Sequence, residues 1–256
     1  MLPINSVPPV EEIPIPIPTC CKLKVHRSIC IELHRFIDSI LHILLAIESS
    51  RPNCALAIQA LCSLHFTLDK ANSLIKHSSD SSKLYLAITS HKTLSRCEKI
   101  RNAFDLYLAQ IQNEVSISLA TKISAILKDV RDTKFSLEFE ENEARKVLLS
   151  LLEKEFYDSA SMKKAELEAI QIAAMMLDIK SPLSLLVEKA SLKKQLEKVN
   201  NTNQKEKELL EYLLHLLFKY EKFTFQLQNG SKSMKHECHD QLFEHEDEGN
   251  VCESRQ

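Results

Sequence analysis

Ala57-Ile58-Gln59-Ala60-Leu61-Cys62-Ser63-Leu64-His65-Phe66-Thr67-Leu68-Asp69-Lys70-Ala71-Asn72-Ser73-Leu74-Ile75 decides the fold. Within it Ala57, Leu61, Leu64, Leu68, Ala71 and Ile75 recur at alternating spacings of four and three, which puts them on one face of a helix. Such a stripe needs other helices to cover it, so this stretch is a bundle seam. Pro52 suits the first turn of this helix. Arg51, standing before a proline, is pushed out of the α region and ends the helix before it.

Upstream, Ile29, Leu33, Phe36, Ile40, Leu44 and Ile47 keep the same rhythm and predict a first helix from about Val25 to Ser49. Downstream, the serines and aspartate of Ser78-Ser79-Asp80-Ser81-Ser82 compete for backbone hydrogen bonds, marking a break and a new N-cap. A third helix follows from about Ser82 to Glu114, with Cys97, Ile100, Phe104, Ile111 and Val115 on one side. Its polar stretch Thr89 to Ser95 is a place to bend or fray. A fourth, from about Ser116 to Leu137, carries Leu119, Ile123, Ile126 and Val130, and its short connection makes it antiparallel to the third. The expectation is an all-α chain whose residues 25–137 form a four-helix up-down bundle.

From Glu138 the composition shifts. Glu138, Glu140, Glu141 and Glu143 open a fifth helix to about Tyr157, their charge favoured at the positive end of the helix dipole; they read as a solvated helix start rather than a catalytic carboxylate pair. Helices over Lys163–Leu177, Pro182–Val199 and Gln204–Phe223 complete a second helical segment, residues 138–223, with Ser181 capping the proline-led one. Residues 1–24 are a proline-rich tail in which Ile and Pro alternate from Ile13 to Pro18, a pattern of polyproline geometry. Residues 224–256 hold three Lys or Arg against seven Asp or Glu, together with both glycines, and read as an acidic disordered tail.

The first glycine is Gly230, which removes glycine-dependent phosphate loops, dinucleotide folds and the G-x-S-x-G nucleophile elbow. No catalytic residue, cofactor or small-molecule substrate is expected. A net charge of −2 lacks the basic surplus that recruits nucleic acid, so no nucleic-acid partner is expected. No run approaches the length of a membrane span, and no secretory signal is readable, which predicts a cytoplasmic or nuclear protein. Cys30, Cys54, Cys62 and Cys97 lie at irregular spacing inside apolar helical patterns, the setting of buried free thiols.

Other groupings read blandly. His236, Cys238, His239, His245 and Cys252 match no zinc module and fall in the expected tail, so no metal is expected. Cys20-Cys21 beside Lys22 and Lys24 has the form of a lipid-acceptor pair, but ordinary exposed thiols are the better reading. His26, His34 and His42 are spaced by eight and cannot share a helix face. Met175-Met176 is read as core filling ahead of a promiscuous groove.

Several segments carry a family pattern: His26-Arg27-Ser28-Ile29-Cys30-Ile31-Glu32-Leu33-His34-Arg35-Phe36-Ile37, Arg51-Pro52, Ile58-Gln59-Ala60-Leu61-Cys62-Ser63-Leu64, and Ser81-Ser82-Lys83-Leu84-Tyr85-Leu86-Ala87-Ile88. Arg96-Cys97-Glu98-Lys99-Ile100-Arg101 and Ser181-Pro182 leading to Glu188-Lys189 continue it. Together they resemble the helical N-terminal domain of plant U-box proteins that also carry armadillo repeats, over about residues 25–222. In that family the U-box docks a ubiquitin-conjugating enzyme and the repeats bind substrates. Nothing after Thr224 offers a U-box opening, so the resemblance implies a non-catalytic interaction or regulatory domain with a protein partner, acting in ubiquitination. A likeness to helical bundles of plant immune and cell-death proteins supplies the alternative, a membrane-associating bundle, which ranks lower because the first helices lack a strongly basic face.

Overall fold

The computed structural model describes residues 25–50, 54–154, 158–199 and 203–237, with side chains described as far as residue 226. All regular elements among them are helices. They run α1 (Arg27–Ser49), α2 (Ala55–Asp80), α3 (Lys83–Gln112), α4 (Ile117–Asp132), α5 (Phe139–Glu153), α6 (Ser159–Met176), α7 (Pro182–Lys198) and α8 (Gln204–Glu237). The last helix runs well past Phe223. The tail of residues 1–24, including Cys20 and Cys21, lies outside the described residues, as do residues 238–256.

In the first bundle, α1 packs on α2 and α4, and α3 packs on the same two, while α1 and α3 meet only sparsely across the middle. That ring order is an up-down four-helix bundle. Its core contains the expected α1 stripe together with Leu64, Leu68, Ala71 and Ile75 of α2, Phe104, Leu108 and Ile111 of α3, and Leu119, Ile123 and Val130 of α4. Leu61 lies at the margin of this core rather than within it, because Ala60 and Leu64 take the inward positions of that turn.

A second core gathers α5, α6, α7 and α8. It also takes in Val25 and the first turns of α3, Leu84 to Ile88, so α3 serves both cores in succession. This explains the polar stretch expected to bend. Thr89, Ser90 and Thr93 are buried, and α3 passes through them unbroken, with the Thr89 hydroxyl donating to the Tyr85 carbonyl at 2.8 Å. A polar side chain that bonds its own backbone, as Thr89 does, can be buried on a helix without a partner from elsewhere, whereas the buried Ser90 hydroxyl has no hydrogen-bond partner.

Glu188 of α7 fixes the start of α3. Its carboxylate accepts from the Ser82 hydroxyl at 2.5 Å and from the backbone N–H groups of Lys83 at 3.1 Å and Leu84 at 2.9 Å. Gln195, two turns further along α7, accepts from the Ser82 N–H at 2.8 Å. The donors that a helix N-terminus leaves unsatisfied are thus met by another helix, which locks α7 against the junction of α2 and α3. At the C-terminal end of α6, Asp178 adopts φ 52° and the Lys83 ammonium donates to the carbonyls of Leu177 and Asp178 at 2.8 and 3.1 Å.

Candidate interaction groove

The stripe of α2 beside its core face reads Phe66, Lys70, Ser73, His77 and Asp80, again at spacings of three and four, with Asp69 alongside. These side chains form the floor of a trough that α3 walls at one end and α7 with the start of α8 at the other. The first hollow, about 440 Å³, is lined by Phe66, Leu74 and Ile100 with Lys70, Arg96 and Lys99 around them. The second, about 530 Å³, is polar, with Lys76, Lys194, Gln195, Lys198 and Glu206 among its walls. Ser73 and His77 line both, so the hollows adjoin along α2.

Phe66 is 61% exposed, an aromatic ring left facing the trough, with the Lys70 ammonium 4.2 Å from its centroid. His77 is held below the ordinary imidazole range, first by burial and then by the positive charge of Arg96. The cations here differ from several others in the molecule. Arg35 is paired with Glu32 and Asp129, Arg101 with Glu98, Arg131 with Asp105, Lys189 with Glu221, and Lys219 with Glu166. Among the described residues, Lys70, Lys76, Arg96, Lys99, Lys194 and Lys198 take part in no ion pair.

The other sequence-level candidates fall elsewhere. Cys30 and Cys97 are buried, and burial followed by the neighbouring Cys30 pushes the Cys97 thiol up to about 12, which makes it unreactive. Cys54 is half-buried at the N-cap of α2, and Cys62 is exposed: the α2 turn directs it away from the seam, contrary to the reading of all four as buried. Met176 packs against the second core but Met175 is 51% exposed, so only one of the pair fills core space. The His and Cys group from His236 to Cys252 lies outside the residues whose side chains are described. Among the described residues, no group of three or more His, Cys, Asp or Glu side chains is placed to hold a metal.

Sequence reasoning missed one polar site. Glu141, read as part of a solvated helix start, is 3% exposed and accepts from the backbone N–H of His26. His26 sits at φ 57° with its ring buried. Burial pushes the Glu141 carboxyl up to about 7, against the pull of the His26 N–H, while burial and then His77 lower the His26 imidazole to about 4. At neutral pH the ring is therefore uncharged. This contact ties the entry of α1 to α5 and is structural.

The class defined by these features is an all-helical, two-core module with an open, cation-lined groove. It is homologous to the U-box domain-containing proteins of plants. The chain is 39% identical over 170 residues to U-box domain-containing protein 5 of Arabidopsis thaliana, covering 66% of this chain and 23% of that protein. It is 37% identical over 201 residues to U-box domain-containing protein 6 and 35% identical over 201 residues to protein 7, in each case covering 78% of this chain and 26% of the relative. The aligned region thus spans about a quarter of the length of the relatives it matches. No family model matches the chain, and no solved structure matches it.

Proposed function

We propose that this chain is a non-catalytic protein-interaction and regulatory domain of a U-box ubiquitin-ligase family protein, acting in protein ubiquitination in the cytoplasm or nucleus. The observation that carries the reading is the groove along α2, where the exposed Phe66 ring stands beside the edge of the core and among cations that take part in no ion pair, in a chain whose relatives are U-box proteins. In this reading residues 25–137 are one unit and 138–223 another, and the polar end of the groove lies where they meet.

The test is a pair of assays on the purified chain. Incubated with ubiquitin, activating enzyme and a panel of conjugating enzymes, it is expected to build no ubiquitin chains. Immobilised, it is expected to retain a protein from plant extract that a variant with Phe66→Glu does not retain. Polyubiquitin synthesis by the chain alone would overturn the non-catalytic part. The membrane-associating alternative would be favoured by pelleting with anionic liposomes at physiological salt; no described helix is long and apolar enough to cross a membrane, but that leaves surface association to this measurement.

A further inference from the structure

Resting on that reading, we propose that the groove receives an acidic peptide segment of a partner protein: a large apolar side chain seats among Phe66, Leu74 and Ile100, and carboxylates run toward Lys194 and Lys198. The two ends of the groove differ in chemistry, and this difference gives the segment a direction. At one end the hollow of about 440 Å³ has an apolar floor and a cationic rim. It is large enough to admit one or two bulky side chains, and the rim of Lys70, Arg96 and Lys99 stands where flanking carboxylates of the same segment would fall. At the other end Val199 is the one apolar residue among the lining side chains, and lysines and amides dominate.

The sign of the groove follows from which charges are already engaged. Of the acids on its walls, Glu206 accepts from the Tyr85 hydroxyl at 2.5 Å and also from Asn203, so its charge is partly spent on the fold. Asp69 and Asp80 remain, against Lys70, Lys76, Arg96, Lys99, Lys194 and Lys198. Six cations facing only two such carboxylates leave a positive excess, and an anionic segment relieves their mutual repulsion while its own attraction is gained. From Phe66 to Asp80 the floor is fourteen helical steps, about 21 Å, which matches roughly six residues of extended chain.

Two other anionic partners fit less well. A bilayer surface is flat, whereas these cations line a recess between helices. Single-stranded nucleic acid calls for successive aromatic platforms, and Phe66 is the one Phe, Tyr or Trp lining the trough, with Lys70 against its ring.

The proposal is tested on the full chain with a fluorescein-labelled peptide, Leu-Phe-Glu-Glu-Asp-Glu-Glu, followed by anisotropy. Saturable binding is expected, weakening steeply as salt is raised, and the reversed peptide, with its apolar pair at the opposite end, is expected to bind several-fold more weakly. Arg96→Glu with Lys99→Glu, both at exposed positions, is expected to lower affinity at least tenfold with the helical melt unchanged. A peptide with lysines in place of its acids is expected to bind that double variant better than the original chain. No saturable binding, or equal binding by the double variant, overturns the proposal. Displacement of the peptide by anionic vesicles or single-stranded DNA at lower concentration than by unlabelled peptide reassigns the groove to those ligands. If a protein retained from extract by the chain is retained equally by the double variant, the interaction-domain reading stands and the acidic-segment assignment falls.

Discussion

Glu188 and Glu141 are both buried carboxylates at helix starts, and they contribute in opposite ways. Glu188 meets three donors at the head of α3. Glu188→Ala leaves them buried without partners, which is expected to cost about 2–4 kcal/mol in a urea titration, whereas Glu188→Gln, which keeps an acceptor, should lose less. Glu141 has one acceptor oxygen in use and the other unpartnered. Because its folded pKa is raised to about 7, the stability it contributes is full below pH ~4.5 and is lost as pH rises toward 7. Glu141→Gln removes that loss. Relative to the natural chain, the variant is expected to gain stability between pH ~4.5 and ~7, and a difference that stays flat across this range in urea melts would show that Glu141 is not held neutral. Neither role was legible in the sequence, because the partners of both residues are more than a hundred positions away. The lack of glycine said nothing of His26 and Asp178, which adopt left-handed geometry without it. Asp is one of the few residues that does so locally, and the buried His26 is held there by its contact with α5.

At the scale of elements, periodicity carried far where each helix has one apolar face and less far where a helix has two. The residues the spacing selects on α1 and α4 are all buried, and Cys30, Ile37, Ile43 and Leu127 widen those faces. In α2 the same rule puts Leu61 inside, yet the helix turns slightly in its seat and buries Ala60 instead. Leu64→Asp is therefore expected to unfold the bundle, by burying an unpaired charge at a site with 0% exposure, while Leu61→Asp costs far less. Circular-dichroism melts of the two variants side by side check this, and equal losses would return Leu61 to the core. In α3 no single stripe exists to be read, since its first turns face the second core and its later turns face the first. The groove was equally hidden: Phe66, Lys70, Arg96 and Lys99 look like an ordinary solvated face until α2 and α3 are set side by side.

For the whole molecule the question is whether two cores mean two independent units. Three features bind them. Leu84, Leu86 and Ile88 on α3 belong to the second core while Phe104 and Leu108 on the same helix belong to the first. Glu188 and Gln195 hold α7 to the start of α3, and Glu141 holds α5 to the entry of α1. If the second core unfolded alone, the first two turns of α3 would lose their cap and expose several large apolar side chains, each worth about 1.5–3 kcal/mol when buried. Separate unfolding is therefore disfavoured, and the groove, whose walls come from both sides, stays intact or is lost as a whole. Leu213→Ala, at a fully buried site in α8, is expected to destabilise by about 2–5 kcal/mol. Hydrogen exchange should then show the most protected amides of α1 and α4 losing as much protection as those of α6 and α8. Loss confined to the helices of the second core would show that α3 releases its first turns at little cost, and that the two cores unfold separately.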